Sequence, residues 1–174
     1  MSSQLSHREH TTSIRKFPII LLTDNLMGDA NIGSLFRLAD AFNIEKIIFT
    51  GSPVNLNSNR LKRTARATVN NMANEFIEDP IKAFNSCIDN GYVPIALEIT
   101  EDSKPIHHIN FENMQKILLV VGNERHGISN ELLKKIELKV HINMYGRNSS
   151  MNVSQAAGIA FYEISKTLPS LPEK

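Results

Sequence analysis

Short runs of apolar residues alternate with helical patterns along nearly the whole chain. PIILLTD (18–24) is an apolar run of strand length, and ANIGSLFRLADAFN (30–43) places Leu35, Leu38, Ala39 and Phe42 on one helical stripe. Asn43 follows that helix, a residue that tolerates the left-handed end position. KIIFTG predicts a strand, NRLKRTARAT a basic helix and NEFIED a short strand. PIKAFNSCIDNG predicts a helix with Pro80 at its start and Gly91 past its end. VPIALEIT and KILLVVG add strands, SNELLKKIE a helix that Ser129 or Asn130 can cap, LKVHINM a strand, and residues 151–168 the last helix. Strands spaced by helices define an α/β fold, a mostly parallel sheet with helices on both faces.

In such sheets ligands collect beyond the carboxyl ends of the strands. That rule selects three loops: DNLMGDANIG, GNERHGIS and MYGRNSSMN. The third runs into GRNSSMNVSQAAG (146–158), where Ser149, Ser150, Asn152, Ser154 and Gln155 crowd the start of an apolar helix. Such side chains compete with the backbone for hydrogen bonds and suit a helix start, yet one cap needs one of them. The segment is therefore either a surface loop with a generous cap or a set of groups aimed at a ligand.

The other loops carry their own polar residues. GNERHG has neither a Walker ending nor a G-x-G-x-x-G spacing, so alone it reads as a turn. Glu124, between Gly122 and Gly127, can receive a ligand hydroxyl or fix a neighbouring loop. In the first loop Asn31 stands at the helix entrance, and Arg37 falls off the apolar stripe and faces solvent or a partner. Its planar fork suits phosphate. RLKRTAR (60–66) carries Arg60, Lys62, Arg63 and Arg66 without an acid. It is a wet face or a strip for a phosphate backbone, and charge alone does not choose between these.

Composition adds mainly exclusions. With 19 Lys and Arg against 18 Asp and Glu, net charge points to no anionic partner, and any nucleic-acid surface must be local. The single cysteine, Cys87, excludes an internal disulfide and fits a cytoplasmic setting. No apolar run is long enough for a membrane span, and residues 1–16 read as a flexible polar arm rather than a signal peptide. His107, His108 and His141 lack metal-ligand spacing, so no metal is expected. Residues 17–168 form one domain, and the Pro-broken tail 169–174 follows it.

Together the three loops resemble the motifs of the SpoU (TrmH-like) RNA ribose 2′-O-methyltransferases of the SPOUT superfamily. NIGSLFRLADAF carries the first, with Asn31 and Arg37; LLVVGNERHGIS the second, with Gly122, Glu124 and Gly127; INMYGRNSSMNVSQAA the third, with Ser150 and Asn152. Met151 departs from the usual leucine, and Asn43 from a frequent glycine. The resemblance spans roughly Phe17 to Leu168. It implies a C-terminal trefoil knot, S-adenosylmethionine held in the knot loops around Leu97, Gly122, Ile142 and Met151, and a homodimer.

The resemblance also implies the chemistry. Asn31, Arg37, Glu124, Ser150 and Asn152 would align and deprotonate a ribose 2′-hydroxyl, Arg37 gripping phosphate. Arg60, Arg63 and Arg66 would steer the RNA, helped by Arg8, Arg15 and Lys16. A compact chain favours tRNA, with rRNA as the alternative. A catalytically inactive RNA-binding module and a flavodoxin-like nucleotide binder are the rivals. For the dimer, an exposed apolar side of the last helix around Ile159 and Phe161 is the expected surface.

Overall fold

The computed structural model describes residues 14–148 and 150–172. Seven parallel strands form one sheet: β1 (Phe17–Asp24), β2 (Ile44–Thr50), β3 (Asn74–Ile77), β4 (Val93–Leu97), β5 (Lys104–Pro105), β6 (Ile117–Val121) and β7 (Leu138–His141). Their order is β3-β2-β1-β6-β4-β7-β5. Among the described residues six α-helices accompany them: α1 (Asp29–Ala41), α2 (Asn59–Ala65), α3 (Thr68–Asn71), α4 (Pro80–Asp89), α5 (Asn130–Leu133) and α6 (Val153–Thr167).

Every residue of β1 is buried, which explains the unbroken apolar run from Phe17 to Leu22, and the buried polar pair Thr23 and Asp24 ends the strand. Successive side chains on a strand point to opposite faces, so Ile19 and Leu21 enter one core while Ile20 and Leu22 enter a second. The first core is closed by α1, α2 and α6 through residues such as Phe36, Leu61 and Phe161. The second is closed by α4 and the segment around α5 through Phe84, Cys87, Leu132 and Ile136. Helices thus cover both faces. Burial pushes the Cys87 thiol pKa up, and Lys46 counters this only in part, consistent with a packed thiol.

Local chemistry sets several boundaries. Asp79 caps α4, its Oδ1 accepting from the N–H of Ile81 at 2.8 Å and Lys82 at 3.2 Å, and Pro80 opens the first turn. Asn43 takes a φ of 47° after α1, as its position suggests. The basic helix breaks in two at Arg66, whose φ is 56°. Gly33 lies against α2: a Cβ there would sit 2.7 Å from the Leu61 carbonyl oxygen, so the two helices touch backbone to side.

Some expectations shift. SNELLKKIE yields only a single helical turn, α5, with Leu132 and Ile136 buried in the second core. The last helix begins at Val153, not residue 151, because Asn152 serves as its cap. Short β5 and a 3₁₀ turn (Ile106–His108) fall where the sequence offers no clear period. Ile32 and Phe36 widen the apolar stripe of α1. Phe161 is fully buried, at 0% exposure, because it packs on Phe42 and the sheet; the exposed apolar residues of α6 are Ile159 and Tyr162. Among the described residues no helix is long and apolar enough to cross a membrane, and no cluster of His, Cys, Asp or Glu could hold a metal.

Candidate active site

Because all strands run parallel, β1, β6, β4 and β7 end on one side of the sheet, and their following loops meet there. The loop after β6 is the tightest. The N–H of Asn123 donates to the Gly127 carbonyl at 3.0 Å, and Gly127 returns the bond at 2.9 Å. Gly127 takes a φ of +67°, which favours glycine. Asn123 Oδ1 accepts from the N–H of Arg125 at 2.9 Å, while its Nδ2 donates to the Asn25 carbonyl at 2.7 Å and so binds this loop to the first. From β4, Glu98 Oε2 accepts from the N–H of Ile128 at 3.0 Å.

A line of hydrogen bonds joins all three loops. Glu124 Oε1 accepts from Asn31 Nδ2 and from the N–H of Gly28, each at 3.0 Å. Asn31 Oδ1 accepts in turn from Asn152 Nδ2 at 2.8 Å. Asn152 Oδ1 then caps α6, accepting from the N–H of Ser154 at 2.9 Å and from Ser154 Oγ at 2.6 Å. Each amide has one donor and one acceptor end, and both ends are used. The orientation of Asn31 and Asn152 is therefore fixed from the carboxylate to the helix. Gly28 is needed at its end, since a Cβ there would lie 2.4 Å from Glu124 Oε1.

Burial on its own would raise the Glu124 pKa, yet the bonds from Asn31, its own backbone and Gly28 outweigh it and hold the carboxyl below its ordinary value. The unfolded chain then binds this proton more readily than the folded one. The stability contributed by ionised Glu124 is full above its ordinary value of 4.5 and is lost as pH falls through the lowered one. Glu124→Gln is expected to cost roughly 1 kcal/mol at pH 7, the scale of a hydrogen bond to a charged group at a part-exposed site. Urea unfolding of both proteins at pH 7 and pH 3 checks this: the gap should narrow as pH falls, and a gap of the same size at both values contradicts the electrostatic account.

Beside this line lies a cavity of about 350 Å³. Leu97, Gly122, Ile142 and Met151 all line it, as do Glu124, Ser150 and Asn152. The volume and the mixture of apolar walls with a few polar groups suit a small organic ligand. Asn31 touches the cavity only through its partners. Arg37 is exposed and stands in a neighbouring groove of about 780 Å³ between α1 and α6, which shares Met151 with the cavity. Arg60, Arg63 and Arg66 are exposed on α2 and its end, away from the cavity lining. Arg15 and Lys16 are exposed too, while Arg8 and Ser149 lie outside the described residues.

The loops also depend on residues that the motifs do not single out. Asn25, Gly28 and Asn123 fasten loop to loop, and Glu98 holds the second loop from β4. Asn123, beside Gly122, carried a signal, because Asn side chains commonly bond backbone two residues on. Glu98, inside a strand pattern, carried none.

The SpoU rRNA Methylase family matches residues 18–162. The tRNA (guanosine(18)-2′-O)-methyltransferase of Aquifex aeolicus (strain VF5) is 24% identical over 166 residues, covering 94% of this chain and 76% of its own. The crystal structure of an AdoMet-bound rRNA methyltransferase from Sinorhizobium meliloti superposes with a TM-score of 0.81 at 22% identity, over 90% of this chain and 59% of that one. A structure described as concerning 2-OH methylation of C/U34 on tRNA superposes with a TM-score of 0.74 at 21% identity, over 87% of this chain and 96% of that one. The flavodoxin-like alternative falls with this match. With its motifs on three adjoining loops of a parallel sheet, the chain belongs to the SpoU rRNA Methylase family.

Proposed function

We propose that this chain transfers a methyl group from S-adenosylmethionine to a ribose 2′-hydroxyl of RNA, tRNA before rRNA. The observation that carries the reading is the Glu124–Asn31–Asn152 line of hydrogen bonds along the mouth of a ligand-sized cavity. Main-chain groups near Leu97, Gly122 and Ile142 would hold the cofactor, with Met151 forming part of its wall. When bound, S-adenosylmethionine supplies an electrophilic methyl on a sulfonium, a leaving group that needs no acid assistance.

The protein's part is alignment and removal of the hydroxyl proton. Asn152 and Ser150 orient the ribose from the start of α6, and Asn31 and Glu124 hold that geometry. Methyl transfer would leave the carbon–sulfur electron pair on sulfur as a neutral thioether, and the 2′-hydroxyl proton would pass to solvent water beside the exposed Arg37. Arg37 grips the nucleotide phosphate; a guanidinium has no lone pair at neutral pH, so it positions rather than acts as a free base.

The groove between α1 and α6, with Arg37, Leu38, Ile159 and Tyr162 along it, supports a homodimer in which a second copy approaches Arg37. The C-terminal threading implied by the family resemblance belongs to the same proposal. Exposed Arg60, Arg63 and Arg66 would steer the RNA backbone, and Arg15 and Lys16 extend that charge. The preference for tRNA is supported by the near-complete coverage of a compact chain connected with tRNA; the rRNA alternative is supported by the longer relative from Sinorhizobium meliloti. A cytoplasmic location is part of the same proposal.

Nucleoside mass spectrometry tests it. Unmodified tRNA and rRNA are incubated separately with the protein and S-adenosylmethionine. A new 2′-O-methyl nucleoside is expected in the tRNA sample. Absence from both RNAs, together with no binding of S-adenosylmethionine, would overturn the proposal.

A further inference from the structure

Large apolar side chains are left in solvent on three of the loops that follow the strands. Tyr145 is 92% exposed, the highest value among the exposed large hydrophobics, and Met27 at 65% and Ile99 at 56% stand on neighbouring loops. Met27 precedes Gly28, whose N–H bonds Glu124, and Ile99 lines the cavity wall. Tyr145 directly follows Met144, another wall residue, on the loop that leads to Ser150 and Asn152. Folding gains nothing from an aromatic ring held in water, whereas a ligand with a flat face would cover it.

Charge at the same rim narrows the ligand. Arg125 and Arg147 are exposed on the second and third loops, and among the described residues neither forms an ion pair. The nearby carboxylates of Glu124 and Glu98 accept hydrogen bonds from the loops themselves. An exposed aromatic ring with guanidinium groups on its own loop and on another is the chemistry that binds single-stranded nucleic acid, with bases stacking on the ring and phosphates meeting the arginines. Gly146 follows Tyr145 in the chain, and among the described residues nothing beyond its chain neighbours lies within 4 Å of a Cβ built there, so the backbone next to Tyr145 is open.

We propose that Tyr145 is the platform on which a base of the RNA substrate stacks, at or next to the methylated nucleotide, with Arg147 meeting the adjoining phosphate. This rests on the RNA methylation reading above and adds to it a residue that positions the substrate. The contact recognises a nucleobase by its flat face, so it needs an unpaired or unstacked nucleotide and not an intact duplex.

The chain contains no tryptophan, so Tyr145→Trp places a single indole at this position. Binding of unmodified tRNA is expected to quench its emission strongly, since the indole stacks as the phenol does. Tyr145→Ala is expected to raise KM for tRNA about tenfold, within the range of aromatic–base stacking, with affinity for S-adenosylmethionine unaltered. Tyr145→Phe should restore KM. RNA that binds Tyr145→Trp by gel shift without quenching overturns the proposal. So does a Tyr145→Ala protein that weakens cofactor binding alone. Should the wild-type chain bind RNA without transferring methyl, the methylation reading fails while the quenching still decides the role of Tyr145. Should it bind no RNA, both fall together.

Discussion

Gly122→Ala is expected to abolish binding of S-adenosylmethionine and to destabilise the fold by about 3 kcal/mol, the upper end for an overpacked site. An added Cβ would sit 2.0 Å from the Gly127 carbonyl carbon and 2.2 Å from the Ile128 nitrogen. These are backbone atoms, so no side-chain rotation relieves the clash. The paired bonds between Asn123 and Gly127 would have to open, and the Ile128 N–H would leave Glu98. Calorimetric titration with the cofactor and thermal unfolding measure the two effects. Gly146→Ala is the control, because among the described residues nothing beyond its chain neighbours lies within 4 Å of a Cβ there. Cofactor binding by Gly122→Ala at wild-type affinity would remove the second loop from the proposed site.

Asn152→Ala is expected to reduce methyl transfer at least 100-fold, equivalent to about 2.7 kcal/mol of transition-state stabilisation. The substitution has two consequences that a second variant separates. It removes the cap of α6, which costs about 1 kcal/mol, and it removes the donor to Asn31 Oδ1. Asn152→Asp keeps an acceptor for the N–H of Ser154 but presents no donor to Asn31. If Asn31 turns its amide to compensate, its bond to Glu124 is lost instead. Asn152→Asp should therefore unfold near the wild-type temperature and yet transfer methyl as poorly as Asn152→Ala. Steady-state kinetics beside thermal unfolding decide this. Wild-type activity in Asn152→Asp would reduce the line of hydrogen bonds to a helix cap.

Much of this was legible in the amino-acid order, because it rests on local physics. Continuous apolar runs such as 18–24 need burial on both faces, which only a covered parallel sheet supplies. Pro80, Gly91 and Asn43 mark ends that their own backbone preferences dictate. Polar residues crowded at 149–155 announced a helix start with groups to spare, and the rule of strand ends put them beside GNERHG and DNLMGDANIG.

What folding decided is which of these groups meet. Asn31 and Asn152 are far apart in the chain, and no spacing reveals that one amide donates to the other. Glu98, inside an unremarkable strand pattern, turned out to hold the second loop, since a carboxylate finds its partner only when β4 is seated between β6 and β7. The sequence likewise placed Phe161 together with Ile159 on the exposed side of α6. Packing against Phe42 took the first into the core and left the second exposed. Sequence fixes what each segment prefers by itself; the pairing of donors with distant acceptors, and of faces with cores, exists only once the strands take their order in the sheet.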